Sequence, residues 1–116
     1  MESREFKPFG SVSALTLGGG GIGNVWGETS KEESIASVHL SLESGIDHLD
    51  VAPMYGKGEA ERVVGEAIKE RSRDSFRLTT KCALGSMPDE EVYDRFNTSL
   101  IRSLDTMGTD YVDLFL

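Results

Sequence analysis

The sequence predicts an α/β fold: a partial (β/α)8 barrel with strands one to four and helices one to three. Three observations predict it. Stretches with apolar residues at every second position alternate with stretches at helical spacing, which is the signature of successive βα units. The expected strand ends Asp50, Lys81 and Leu116 lie 31 and 35 residues apart, and eight such units need the ~250 residues usual for a closed barrel. Finally, 116 residues with 38% apolar side chains hold enough hydrophobic material for one core and no more.

The elements follow in order. Val12 to Leu17 reads as a first strand, leading into the glycine run Gly18 to Gly21 and on through Ile22 to Gly23. Ser30-Lys31-Glu32-Glu33 is a capping box, with serine and glutamate three residues apart and each able to satisfy the other's free amide. The helix it opens buries Ile35, Val38 and Leu42, and Gly45 ends it. A second strand covers Ile46 to Val51 and is broken by Pro53. A second helix, Glu59 to Arg71, carries Ala60, Val63, Val64, Ala67 and Ile68 as a core-facing stripe. In the third strand, Phe76 to Lys81, alternation sends Phe76, Leu78 and Thr80 to one face and Arg77, Thr79 and Lys81 to the other. Pro88 and the acidic Asp89, Glu90 and Glu91 suit the start of a third helix. That helix turns Val92, Phe96, Leu100 and Leu104 inward and closes at Gly108. Tyr111 to Leu116 begins a fourth strand, with Asp113 and Phe115 expected to point into the barrel. Because the sequence stops within this apolar strand, residues 1–116 are read as the N-terminal part of a single barrel domain, with open edges that favour self-association.

Charge and composition narrow the function. Twenty acidic against 12 basic residues give a net charge of −8, which repels a phosphate backbone and disfavours nucleic-acid binding. No apolar run approaches the ~20 residues of a membrane span, and MESREFKPFG lacks the apolar stretch of a signal peptide. With Cys82 the sole cysteine, no internal disulfide forms, and the expected location is cytoplasmic. His39, His48 and Cys82 have no metal-ligand spacing, so no metal site is expected.

Parallel βα proteins place their chemistry at the carboxyl ends of the strands. Four features lie there: the glycine loop, Asp50, Tyr55 just beyond it, and Lys81. Asp50 and Lys81 on adjacent strands stand close enough for a charge pair. A phenol is a poor acid at neutral pH, and an ammonium nearby favours its ionised form. An aspartate that holds the lysine, with the lysine beside the tyrosine, makes a proton donor suited to a carbonyl oxygen that gains negative charge during reduction.

Gly45-Ile46-Asp47-His48-Leu49-Asp50-Val51-Ala52 with Tyr55-Gly56, then Glu61 and Gly65-Glu66-Ala67, resembles the aldo-keto reductase family over its second strand and helix. Leu78-Thr79-Thr80-Lys81 is similar to that family's lysine strand. Ser99 to Leu104 through Gly108, and Asp110 to Leu116, resemble its third helix and fourth strand. The resemblance runs collinearly from Val12 onward. It implies a TIM-barrel oxidoreductase that uses NADPH to reduce an aldehyde or ketone, with a small-molecule carbonyl as substrate. By matching positions, Tyr55 is the proton donor, Lys81 makes it a stronger acid, and Asp50 supports Lys81 and touches the nicotinamide ribose. Gly20, Gly21 and Ile22 match the loop that lies against the cofactor, although four glycines follow Leu17 where the family has Leu-Gly-x-Gly. The family's fourth catalytic residue is a histidine after the fourth strand, and its main grip on the adenosine phosphates comes from late strands. Both lie past Leu116, so the NADP site is expected to be incomplete in this chain and the isolated piece inactive.

Two other readings compete. A non-catalytic half-barrel fragment or interaction module accounts for the chain length. A Rossmann-type dinucleotide-binding domain accounts for Gly18-x-Gly20-x-x-Gly23, though Asn24 to Thr29 separate those glycines from the Ser30 cap.

Overall fold

In the computed structural model, which describes residues 1–116, the chain opens with a hairpin that the sequence reading did not anticipate. β1 (Ser3–Glu5) pairs antiparallel with β2 (Ser11–Ser13), joined by a turn containing Pro8 and Gly10. The strand expected over Val12 to Leu17 is thereby divided. Its first residues belong to the hairpin, and its last to β3 (Leu17–Gly18), which starts a separate parallel sheet. The break has a local cause: the Ser13 amide donates to Asp47 Oδ1 (2.8 Å), the Asp47 amide donates to Ser13 Oγ (3.0 Å), and the Ser13 hydroxyl donates to the Leu15 carbonyl (2.6 Å). These bonds bend the chain between the two strands.

β3 pairs with β4 (His48–Asp50), β4 with β5 (Arg77–Thr80), and β5 with β6 (Leu114–Phe115), all parallel and in chain order. Such a progression is the advancing wall of a (β/α)8 barrel. A Rossmann sheet reverses its strand order where the ligand binds, and no reversal occurs here. Moreover the glycine turn does not run into a helix, because α1 (Lys31–Glu43) starts only after Ser30. The Rossmann reading is therefore corrected.

α1 begins with both halves of its capping box in place, the Glu33 amide donating to Ser30 Oγ (3.1 Å) and the Ser30 amide to Glu33 Oε2 (3.0 Å). The Ser30 amide, with the Ser30 and Thr29 hydroxyls, holds the Glu33 carboxyl below the usual glutamate range. Val38 is fully buried, with Ile35 and Leu42 packed beside it. α2 (Glu59–Ile68) buries the whole expected stripe and ends one turn before the expected Arg71. α3 (Asp89–Met107) lies over β5 and β6 and closes on Gly108, whose left-handed φ of +65° a glycine adopts without strain. Its expected inward residues are half-buried, and the fully buried positions are Ser103 and Met107.

The core lies between the sheet and these helices, centred on Leu49, Val51, Val63, Val64, Phe76 and Leu78. At Gly65 the backbones of α2 and α3 meet, and a Cβ there would lie 2.9 Å from both Met107 Cα and the Thr106 carbonyl oxygen. Phe115 corrects a further expectation. Its ring packs on Phe96 of α3 with centroids 4.3 Å apart, so it faces the helices and not the barrel interior. Asp113 is likewise taken up elsewhere: its Oδ2 accepts from Arg73 (2.7 Å) and from the Leu78 amide (2.8 Å). No helix is long and apolar enough to cross a membrane.

Candidate active site

Strand register builds the first part of the site. Parallel pairing of β4 with β5 sets Asp50 opposite Thr79, so the inward side chains of Asp50 and Lys81 meet at the same end of the sheet. The Lys81 ammonium donates to Asp50 Oδ1 and to the Val51 carbonyl oxygen (2.9 Å). Two acceptors on one strand thus fix a cation presented by the next. One layer below, His48 lies between two hydroxyls, with Nε2 2.7 Å from Thr79 Oγ1 and Nδ1 3.2 Å from Thr16 Oγ1. His48 is therefore the barrel-interior polar group that its position suggests, joined to hydroxyls only.

Tyr55 comes from the loop between β4 and α2. Its ring packs half-buried against the core, and Lys81 Nζ lies 5.3 Å from the ring centroid. No hydrogen bond joins the Tyr55 hydroxyl to Lys81, so the ammonium faces the aromatic ring. The loop backbone is anchored on both sides: the Tyr55 amide donates to the Ala52 carbonyl (3.1 Å), and the Ala60 amide to the Tyr55 carbonyl (3.3 Å). Gly23 packs against this carbonyl so closely that a Cβ there would lie 3.0 Å from its oxygen. Gly56, at φ +62°, faces the Gly23 backbone in turn. The glycine loop and the tyrosine loop are one packed unit, possible only because neither carries a side chain at the contact.

The expected cofactor loop has unequal members. Gly19 donates its amide to the Asp50 carbonyl (2.7 Å), and a Cβ there would press on Val51. Gly20 is buried under the Trp26 indole, where a Cβ would come within 2.8 Å of the ring, and Trp26 is otherwise 80% exposed. Gly21 lies open at the rim, while the Ile22 side chain is anchored in the core, so that position has only backbone to offer a ligand. The loop thus packs on the end of β4 at Gly19, is roofed by Trp26 at Gly20, and leaves its backbone open at Gly21.

Two polar residues were missed by sequence reasoning. Glu61, noted only as part of the family pattern, is buried on α2 and accepts from Thr80 Oγ1 at 2.7 Å. Arg73 was not singled out, yet its guanidinium donates to Thr109 Oγ1, the Phe76 and Tyr111 carbonyls and Asp113, and lies 3.8 Å from the Tyr111 ring centroid. A basic residue just before a strand offers no periodic signal, and its partners lie up to 40 residues away.

Parallel strands in chain order, with an aspartate, a lysine and a tyrosine at their carboxyl ends, define a βα-barrel protein with its polar centre at the barrel mouth. The aldo/keto reductase family model matches residues 14–116, and the chain belongs to that family. It is 38% identical over 111 residues to aldo-keto reductase YhdN of Bacillus subtilis, an alignment covering 90% of this chain and 33% of that protein. Among solved structures, the thermostable aldo-keto reductase Tm1743 superposes with a TM-score of 0.81 at 31% identity, covering 99% of this chain and 42% of that one. An aldo-keto reductase from Klebsiella pneumoniae, crystallised with NADPH, gives 0.80 at 27% identity, covering 98% and 38%. The chain therefore spans about a third of the length of the curated relatives it matches.

Proposed function

We propose that residues 1–116 are the N-terminal part of a barrel that reduces an aldehyde or ketone to an alcohol with NADPH. The observation that carries this reading is the convergence of Asp50, Lys81 and Tyr55 at the mouth of adjacent parallel strands. The backbone left open at Gly21, next to Gly19 on the end of β4 and Gly20 under the Trp26 ring, fits a flat ring laid against the loop. Gly20, Gly21, the Ile22 backbone and Asp50 would hold the nicotinamide end. When bound, that group supplies a hydride to the carbonyl carbon.

The chain's own residues serve the oxygen. As the carbonyl oxygen gains negative charge, the Tyr55 hydroxyl gives it a proton, and the resulting phenolate is stabilised by the Lys81 ammonium. Asp50 and the Val51 carbonyl keep that ammonium aimed. Trp26, exposed on one face beside the glycine loop, is placed to border the substrate.

The test uses the full-length protein that contains this segment. Tyr55→Phe should lower carbonyl reduction by at least ~100-fold, the scale of a general acid, with NADPH affinity within twofold of the parent. Lys81→Met should behave similarly. A Tyr55→Phe enzyme that turns over normally refutes the reading.

A further inference from the structure

We infer that Glu61 is a positioning residue for Lys81, acting through the Thr80 hydroxyl from the far side of the sheet. The inference rests on the reductase reading of Asp50, Tyr55 and Lys81. It begins from an anomaly: Glu61 is only 2% exposed, no lysine or arginine pairs with it, and its single side-chain hydrogen bond comes from Thr80 Oγ1 at 2.7 Å. Burying a carboxyl group without a cation is unfavourable, and an apolar side chain would fill that position on the core face of α2 at no such cost.

Its placement accounts for it. Thr80 is the last residue of β5, its side chain turned to the helices, and Lys81 follows with its side chain turned to the barrel interior. Within the sheet this strand end is tied sideways, with the Val51 amide donating to the Thr79 carbonyl (2.9 Å) and the Leu116 amide to the Thr80 carbonyl (3.1 Å). Perpendicular to the sheet, the Glu61–Thr80 bond is the polar tie at the strand end. Glu61 also lies in the first turn of α2, directly after the loop that presents Tyr55. One hydrogen bond therefore sets the strand that presents the ammonium against the helix that anchors the phenol. Misplacement of reacting groups by ~1 Å is enough to cost ~100-fold in rate.

The experiment measures steady-state carbonyl reduction by the full-length protein with Glu61→Ala, Glu61→Gln, Thr80→Val, Thr80→Ser, the Glu61→Ala/Thr80→Val double variant, and Tyr55→Phe. Thr80→Val keeps the volume of the side chain and removes only its donor, so it carries the test if Glu61→Ala fails to fold. We expect Thr80→Val to lower kcat at least tenfold with KM for the carbonyl within threefold. Thr80→Ser and Glu61→Gln, which keep a donor and an acceptor, should restore kcat to within threefold. The double variant should be no slower than the slower single one, since both delete one bond. Thr80→Val turnover within threefold of the parent, alongside an inactive Tyr55→Phe, overturns the role of Glu61 and leaves the reductase reading standing. An active Tyr55→Phe overturns both.

Discussion

Replacing Gly65 with alanine tests the packing that holds the two helices behind the site. In an exposed helix this change stabilises by about 1 kcal/mol, because glycine is a poor helix former. Here the added Cβ would meet Met107 Cα and the Thr106 carbonyl oxygen at 2.9 Å, and the Met107 carbonyl carbon at 3.2 Å. All three are backbone atoms of α3, so no side chain can swing aside. Restoring ordinary contact means moving α2 and α3 apart by a few tenths of an ångström along a buried seam, and forced overpacking of this kind costs about 1–3 kcal/mol. Subtracting the propensity gain leaves a net loss of about 1 kcal/mol, with valine costing more. Urea unfolding followed by far-UV circular dichroism reads the difference, as a lower midpoint at unchanged slope. A Gly65→Ala protein as stable as the parent, or more stable, would falsify the close approach of α2 and α3.

Arg73→Ala should destabilise by about 3 kcal/mol, since it strips a half-buried guanidinium from Asp113 and leaves that carboxylate with the Leu78 amide alone. Lysine should not rescue it, because one ammonium cannot span four acceptors; urea midpoints equal to the parent's would refute this. The Glu33 carboxyl, lowered by the Ser30 amide, the Ser30 hydroxyl and the Thr29 hydroxyl, contributes stability that is present above the ordinary glutamate range. That contribution disappears as pH falls through the depressed value in the folded state. Glu33→Gln should remove that part of the acid-induced loss of α1 helicity, and identical acid titrations of the two proteins would count against it. The 116-residue chain alone should show no NADPH-dependent turnover and should self-associate, because β3 and β6 each pair on one side only. Light scattering from a monodisperse monomer would contradict the second statement, and sustained turnover the first.

Local signals made parts of this molecule legible. The Ser30 and Glu33 cap is written within four residues, and the α2 stripe within ten, so each could be read without knowing what lies opposite. The alternation of Phe76 to Lys81 likewise gives both faces, since a strand with Phe76 and Leu78 buried on one side and Arg77 and Lys81 on the other has little freedom of register. Leu114-Phe115-Leu116 offers no such contrast. Three apolar residues fit either face, and Phe96, 19 positions before Phe115, decides the matter. The N-terminal hairpin was hidden because its strands are three residues long, with Arg4 and Glu5 in β1 and only Val12 apolar in β2, although Pro8 and Gly10 marked a turn. Asp50, Tyr55 and Lys81 were named in advance, while Glu61 needed the packing of α2 on β5 to acquire its partner.

The three named residues are not held alike, and this bears on how the site works. Asp50 and Lys81 belong to neighbouring parallel strands, and their pairing follows from a register fixed by backbone hydrogen bonds at Val51, Thr79 and Leu116. Tyr55 belongs to a loop, and its place depends on Gly23 and Gly56 allowing two backbones to touch. The ammonium faces the aromatic ring while the hydroxyl is free of protein partners. A phenol bonded firmly to the lysine would have to give up that bond to reach a substrate; one held by its ring keeps its proton available. On the proposed reductase reading, the strand pair would supply the fixed charge and the loop the movable proton. Substitutions in the strands should act on the rate of proton transfer. Those at Gly23 or Gly56 should act first on where the hydroxyl meets its substrate, and so on KM as much as on kcat.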